Sequence, residues 1–226
     1  MENNQKLTLT EEDYLKTIYH LSQKTPNLDV TTNDIAKSID LSAASVSDML
    51  KKLSNKGLIH YIKYQGVRLT TDGHKIALYL IRKHRLWETF LCQKLNFQWD
   101  EVHEIAEQLE HINSSILIER LDEFLNYPAF DPHGDPIPNA EGNILDRPTE
   151  LTLLHAPLMK KIIVVAVKEN TPVFLKMLNK LNIHINTRIE IKAKNEFDHS
   201  IEIVLNDLQH HTLSKEVAEN IFVKSL

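Results

Sequence analysis

One ordered run in the first third of the chain constrains it most: two helices, a short turn, a third helix and a hairpin. Thr10-Glu11-Glu12-Asp13 opens the first helix, with Thr10 as its N-cap. Tyr14, Leu15, Ile18, Tyr19 and Leu21 give it an apolar stripe at helical spacing. Pro26 and Asn27 end it. Thr32 caps a second helix over residues 34–39, and Asp40-Leu41-Ser42 forms the turn. Ser42 caps a third helix that runs to about Lys56, where Gly57 stops it in a left-handed cap. Residues 58–70 then read as two short strands around Gln65-Gly66. This order of elements is that of a winged helix-turn-helix.

A helix enters the major groove only if its exposed face carries small or hydrogen-bonding side chains. In the third helix Val46, Met49, Leu50 and Leu53 point inward. Ala43, Ala44, Ser45, Ser47 and Asp48 are left outward, and Ser42 and Thr32, at the helix starts, join Ala43, Ala44, Ser45 and Ser47 as candidate DNA contacts. Lys51 and Lys52 follow one turn on, where a phosphate backbone would lie. Lys63, Tyr64 and Arg68 on the wing suit phosphate or minor-groove contacts, which position a module rather than read sequence. The formal net charge of -5 argues against nucleic acid until it is divided along the chain. Residues 37–75 carry seven basic side chains against three acidic, and the local patch decides whether phosphates are attracted. The competing interpretation is a three-helix unit that docks protein.

A long helix follows over about 72–94. Another begins near Asp100, reaches about His111 and can continue toward Leu125. Residues 126–149 hold five prolines and two glycines and form a loop and linker. Beyond 150 the character changes. Segments 162–167, 188–193, 201–205 and 221–223 look like strands, with a helix at about 172–181, which suggests a small β-barrel. The single cysteine, Cys92, excludes an internal disulfide and sits in an apolar stretch, as a packed thiol would. The acidic start has no apolar core segment, and no apolar run approaches the ~18 residues of a membrane span. The expectation is a soluble, cytoplasmic protein with no membrane partner.

Residues 76–150 carry six basic against fourteen acidic side chains. Within them His103, Glu107, Glu110 and His111 fall on one face of a helix, and His84 and Glu88 are likewise one turn apart. Any one of these residues alone could be a solvated surface group. Gathered on one side, carboxylates and imidazoles repel unless a cation joins them. An oxygen and nitrogen donor set without thiolate suits Mn2+ or Fe2+, and could also take Co2+, Ni2+ or Zn2+. Trp87, Phe90 and Leu91 read as a dimer-packing face. His210 and His211 are adjacent in sequence, so their side chains point apart and make no site.

Several segments together resemble the diphtheria-toxin-repressor family of iron- and manganese-dependent regulators. They are EEDYLKTIY at 11–19, SAASVSDMLKKLSNKGLI at 42–59, LTTDGHKIA at 69–77, RKHRLWETFL at 82–91, HEIAEQLEH at 103–111 and DPHGDPIP at 131–138. The resemblance spans nearly the whole chain. It implies a regulatory metal held by Asp13 with Glu107, Glu110 and His111, and an ancillary ion to which His84 and Glu88 belong. His103 fits one version of that ancillary site, Asp131 and His133 fit another, and a third-domain carboxylate, Glu169, would complete it. Iron-type members carry cysteine and methionine where this chain has Glu107 and Asp13, so the chain looks like the manganese branch. Lys16 stands where two-domain manganese regulators have a second acid, which argues against a closely spaced metal pair. Asp13 has a structural rival role, capping its helix after Thr10.

The resulting expectation is a mainly α chain with α/β parts. It comprises a winged helix-turn-helix at 1–74, a helical metal-binding and dimerisation domain at 75–140, and a FeoA-like small β-barrel at 150–226. It would act as a homodimer on double-stranded palindromic operator DNA, as a metal-dependent repressor of metal-homeostasis genes and not as an enzyme. Two rival classes are a winged-helix regulator answering to a non-metal signal and a metallohydrolase with an appended DNA module. The second would need an open coordination position beside a general base, and the sequence offers none.

Overall fold

The computed structural model describes residues 7–24, 29–62, 65–145 and 151–226. Lys63 and Tyr64, expected on the wing, lie outside the described residues. The chain divides into two compact units. One holds the chain up to His84 with Glu110–Asn113 and Pro138–Asn143; the other holds Arg85–Leu109, Ser114–Ile137 and Ile144–Leu226.

In the first unit α1 (Leu9–Lys24), α2 (Thr32–Ser38) and α3 (Ala43–Asn55) lead into a hairpin of β1 (Ile59–Ile62) and β2 (Gly66–Leu69). Then α4 (Thr71–Leu95) begins. Leu15, Ile18, Ile35, Val46, Leu50 and Leu53 have no exposed surface and form the core on which the helices pack. Ser42 caps α3 as its sequence predicts, accepting from the Ser45 N–H at 3.2 Å. Two other caps lie one or two residues earlier than expected. Thr8, not Thr10, opens α1: its hydroxyl accepts from the Glu11 N–H, and the Glu11 carboxylate accepts from the Thr8 N–H at 2.9 Å. Both threonines have an acid three residues on. Glu11 wins because it also receives Lys56 from the end of α3, at 2.8 Å. Thr31, not Thr32, caps α2, because the residue three positions on, Asp34, can bond back to the cap; from Thr32 that residue is Ile35.

Val30 extends the wing by exchanging backbone hydrogen bonds with Val67 at 3.1 and 2.9 Å. That close approach demands Gly66. Its φ is +124°, and a Cβ there would lie 2.5 Å from the Asp29 Cβ.

In the second unit the rest of α4 packs with α5 (His103–Leu109) and α6 (Ser115–Phe124) around Leu86, Leu91, Val102, Ala106, Ile118 and Leu121. Trp87 is buried in the same core, with Phe90 packed against it. Trp87 and Leu91 therefore serve the chain's own interior, which corrects their reading as a dimer face. The helix expected from Asp100 to about His111 is shorter, beginning at His103, and what could have been its continuation toward Leu125 is a separate helix. The first stops at Leu109, and Ser114 caps the second, accepting from the Leu117 N–H at 3.4 Å.

The C-terminal part is a six-stranded antiparallel sheet of β3 (Leu151–Thr152), β4 (Lys161–Val167), β5 (Arg188–Lys194), β6 (Ile201–Leu205), β7 (Gln209–Leu213) and β8 (Ile221–Ser225). The strand order is β3-β8-β4-β5-β6-β7, with α7 (Pro172–Lys180) and α8 (Lys215–Glu219) in the connections. Its pairings end at β3 and β7, and among the described residues no pairing closes the sheet on itself. Sequence patterning missed β3, which is two residues long, and β7, an exposed edge strand of mostly polar residues. No helix of the described residues is long and apolar enough to cross a membrane.

Candidate metal centre and nucleic-acid interface

The expected one-face arrangement of four ligands is replaced by a tighter one. Only His103 and Glu107 lie within α5; Glu110 and His111 fall in the turn after it. That turn belongs to the first unit, where it meets α1. His111 Nε2 is 3.2 Å from Asp13 Oδ1, and His111 Nδ1 is 2.8 Å from Glu12 Oε2. Glu110 is fully buried. Its Oε2 meets His84 Nδ1 at 2.6 Å, and Lys16 Nζ donates to both its oxygens at 2.7 and 2.8 Å. Asp13, Glu110 and His111 each offer a ligand atom within 4.8 Å of the others. Burial would push the Glu110 carboxyl up, but the His84 hydrogen bond and the Lys16 charge outweigh it and hold it below its ordinary range. Burial pulls the Lys83 ammonium down, against the attraction of Glu12 and Glu110.

These residues fit a divalent cation on donor chemistry. With Nδ1–H donated to Glu12, His111 turns a lone pair from Nε2 toward the Asp13 carboxylate, and two such groups approach to 3.2 Å only around a proton or a cation. The rival role of Asp13 as a helix cap falls away, because Glu11 fills it. Glu12 was missed as a member of the cluster, and Lys16, singled out in the sequence, was not foreseen as the partner of Glu110. Glu12 sits next to Asp13, yet adjacency on a helix does not show that both can reach one imidazole.

A second cluster lies wholly in the other unit. Glu88, Asp131 and His133 are buried, with ligand atoms again within 4.8 Å of one another. Asp131 Oδ1 accepts from the backbone N–H groups of His133 and Asp135 at 2.8 and 2.9 Å, which shapes the Asp-Pro-His-Gly loop. Gly134 lets the loop press on β4: its φ is +85°, and a Cβ would lie 2.3 Å from the Val165 carbonyl oxygen. His133 Nε2 donates to the Trp99 carbonyl at 2.8 Å, and its Nδ1 stands 3.6 Å from Glu88 Oε2 without a hydrogen bond. That buried nitrogen between two carboxylates also fits a cation. Burial and then the Glu88 charge push Asp131 up to about 6. Burial alone would lower His133, but Glu88 and Asp131 raise it to about 9.

The two versions of the ancillary site meet at Glu88, because His103 Nδ1 approaches its other oxygen at 3.4 Å. Glu107 lies in this unit, 3.6 Å from His103 Nε2. Glu169 joins neither cluster: its exposed carboxylate accepts from the Thr171 N–H at 3.2 Å. The turn ahead of α7 claims its oxygen.

On the winged unit Ser42, Ala43, Ala44 and Ser45 are exposed and Ser47 is half-buried. Thr32, Asn33, Ala43, Ser47 and Tyr61 line one open groove. Lys51 pairs with Asp48 at 2.9 Å on the surface, and Lys52 is exposed. The Arg68 guanidinium is held by Asp29.

Residues 6–67 match the profile of the iron dependent repressor N-terminal DNA binding domain, and 70–139 that of its metal binding and dimerisation domain. Residues 151–225 match the FeoA domain. A solved manganese-dependent transcriptional repressor in complex with manganese is 35% identical, with a TM-score of 0.80, and the alignment covers 96% of this chain and 100% of that one. The chain belongs to the iron-dependent repressor family. Within the family, the structure of the manganese regulator SloR is 34% identical with a TM-score of 0.72, over 97% of this chain and 100% of that one. Zn2+-bound ScaR is 34% identical with a TM-score of 0.74, over 96% and 99%. The iron-dependent repressor IdeR of Mycobacterium leprae is 35% identical over 129 residues, which is 57% of this chain and 55% of that protein. The chain thus matches little more than half the length of this curated relative.

Proposed function

We propose that this chain is a divalent-metal-dependent transcriptional repressor that acts in the cytoplasm as a homodimer on double-stranded palindromic operator DNA. In this reading, residues 1–74 bind DNA, 75–140 bind metal and dimerise, and 150–226 form the FeoA-like domain. The observation that carries the proposal is the meeting of Asp13, on a helix of the DNA-binding unit, with Glu110 and His111 from a distant turn of the sequence. A divalent ion bound there, Mn2+ or Fe2+, adds positive charge to that of Lys16, which already holds Glu110. Glu12 fixes the His111 ring and His84 steers Glu110, as groups behind metal ligands do. Without the ion Lys16 still ties α1 to Glu110, but Glu12 and Asp13 share the single imidazole of His111, which favours looser placements of the Asp13 end of α1. Drawing Asp13 to the 110–111 turn fixes α1, and α1 packs on α2 and β2 of the reading head. The switch is a shift of populations between these placements. The carboxylates of Asp13 and Glu110 and the absence of a thiolate favour manganese over softer metals. Glu88, Asp131 and His133, with His103 beside them, form the ancillary ion site. A palindromic target follows because one α3 reads a half-site and a dimer reads two.

Titration of Mn2+ against duplexes selected for binding in its presence tests this. Affinity should rise by at least about tenfold with the metal, within the range usual for allosteric coupling, and Glu110→Gln should lose the rise. Metal-indifferent affinity would overturn the proposal in favour of a winged-helix regulator that answers to another signal.

A further inference from the structure

The basic stretch 37–75 holds three acids, and one of them, Asp48, is the only acid of α3. Val46, Leu50 and Leu53 turn to the core. Asp48, two positions from each of the first two, points the other way. Its side chain is 73% exposed, on the side of the helix where Ala44, Ser45, Lys51 and Lys52 are exposed as well. A carboxylate on that face repels every phosphate it approaches. Lys51 Nζ donates to its Oδ1 at 2.9 Å, which offsets the charge and holds the carboxyl below its ordinary range. Among the described residues Oδ2 has no partner, so it is open to an outside donor. We propose that Asp48 is a specificity-determining residue that reads one cytosine in each half-site by accepting from its exocyclic N4 amino group.

The chemistry of the base edges selects cytosine. An ionised carboxylate accepts hydrogen bonds and cannot donate them. In the major groove guanine presents two acceptors, and thymine an acceptor and a methyl group, so both turn it away. Adenine sets its N6 amino group beside the N7 acceptor, an arrangement that suits an amide better than a carboxylate. Cytosine offers a donor alone. The guanine paired with it brings acceptors alongside, which suit the ammonium of Lys51, so the Asp48–Lys51 pair matches a C·G pair in polarity. Nothing bulky holds this face off the bases, because the first turn of α3 exposes Ala43, Ala44 and Ser45.

The inference rests on the DNA-binding reading above, so its test separates the two. Duplexes are selected from a random pool by the full chain with Mn2+, using the wild type, Asp48→Ala and Asp48→Asn. Both substitutions fall at an exposed helix position and should leave the melting temperature close to that of the wild type. The wild type should select one fixed C·G pair per half-site, and replacing that pair should weaken binding by about tenfold. Asp48→Ala should accept all four bases at that position and keep the rest of the site. Asp48→Asn should move the preference there from cytosine to adenine, because an amide meets adenine N6 and N7 together. A surface pair that only supports the helix would leave the selected sequence the same in all three proteins, with Asp48→Ala binding every duplex more tightly. That outcome overturns the role of Asp48 alone, as does a selected site with no fixed C·G pair. A wild type that selects no sequence from the pool overturns the DNA-binding reading, and this inference with it.

Discussion

At the scale of single residues, burial decides what a side chain can do. Cys92 is half-buried on α4; desolvation first, then the charges of Glu88 and Asp131, push its thiol from 9.0 up to about 12. The folded chain therefore keeps a proton that the unfolded chain releases near pH 9. This contribution to stability is present below pH 9 and is lost as the pH rises toward 12. Alkylation of the native protein at pH 8 should be slow, and fast once denaturant is added. In Cys92→Ala the fall in stability over that alkaline window should be shallower. Rapid labelling of the native chain would contradict the packed, protonated thiol. Sequence located this residue in an apolar stretch, but only its neighbours reveal the negative field around it. Asp13 teaches a similar lesson. Its residue type allows a cap or a ligand, and the choice is made by Lys56, 45 positions from Glu11, which draws Glu11 into the capping role.

At the scale of elements, local chemistry sets helix starts where a cap can reciprocate or stands alone. Ser42 begins α3 and needs nothing beyond its own segment. Ser42→Ala should cost about 1 kcal/mol in chemical denaturation, the usual loss of a serine cap, with an unchanged m-value. A cost near zero would mean that packing alone sets the start of α3. The break between α5 and α6 was harder to see, because the apolar and acidic spacing continues past it. That break frees Glu110 and His111 from a helix face and lets both reach α1. The candidate ligands were legible as residue types, while their arrangement depended on where one helix stopped.

At the scale of the whole molecule, net charge misleads about nucleic acid. The chain sums to -5, yet its basic excess lies over residues 37–75. Lys52 is exposed beside the reading face, so Lys52→Ala should weaken binding to all duplexes alike and lower the salt slope by about one phosphate contact. An unchanged slope would place Lys52 off the DNA. Arg68 should matter less, since Asp29 already holds it. By itself the sequence determined the order of elements, the winged helix-turn-helix, the family resemblance and the pool of metal-binding side chains. These follow from periodicity, turn residues and residue chemistry, which are local. Tertiary structure decided that Lys16 shares Glu110, that Glu88 serves both His103 and His133, and that Glu169 turns away. Each of these depends on distances between segments far apart in the chain, which side-chain spacing along one segment does not encode.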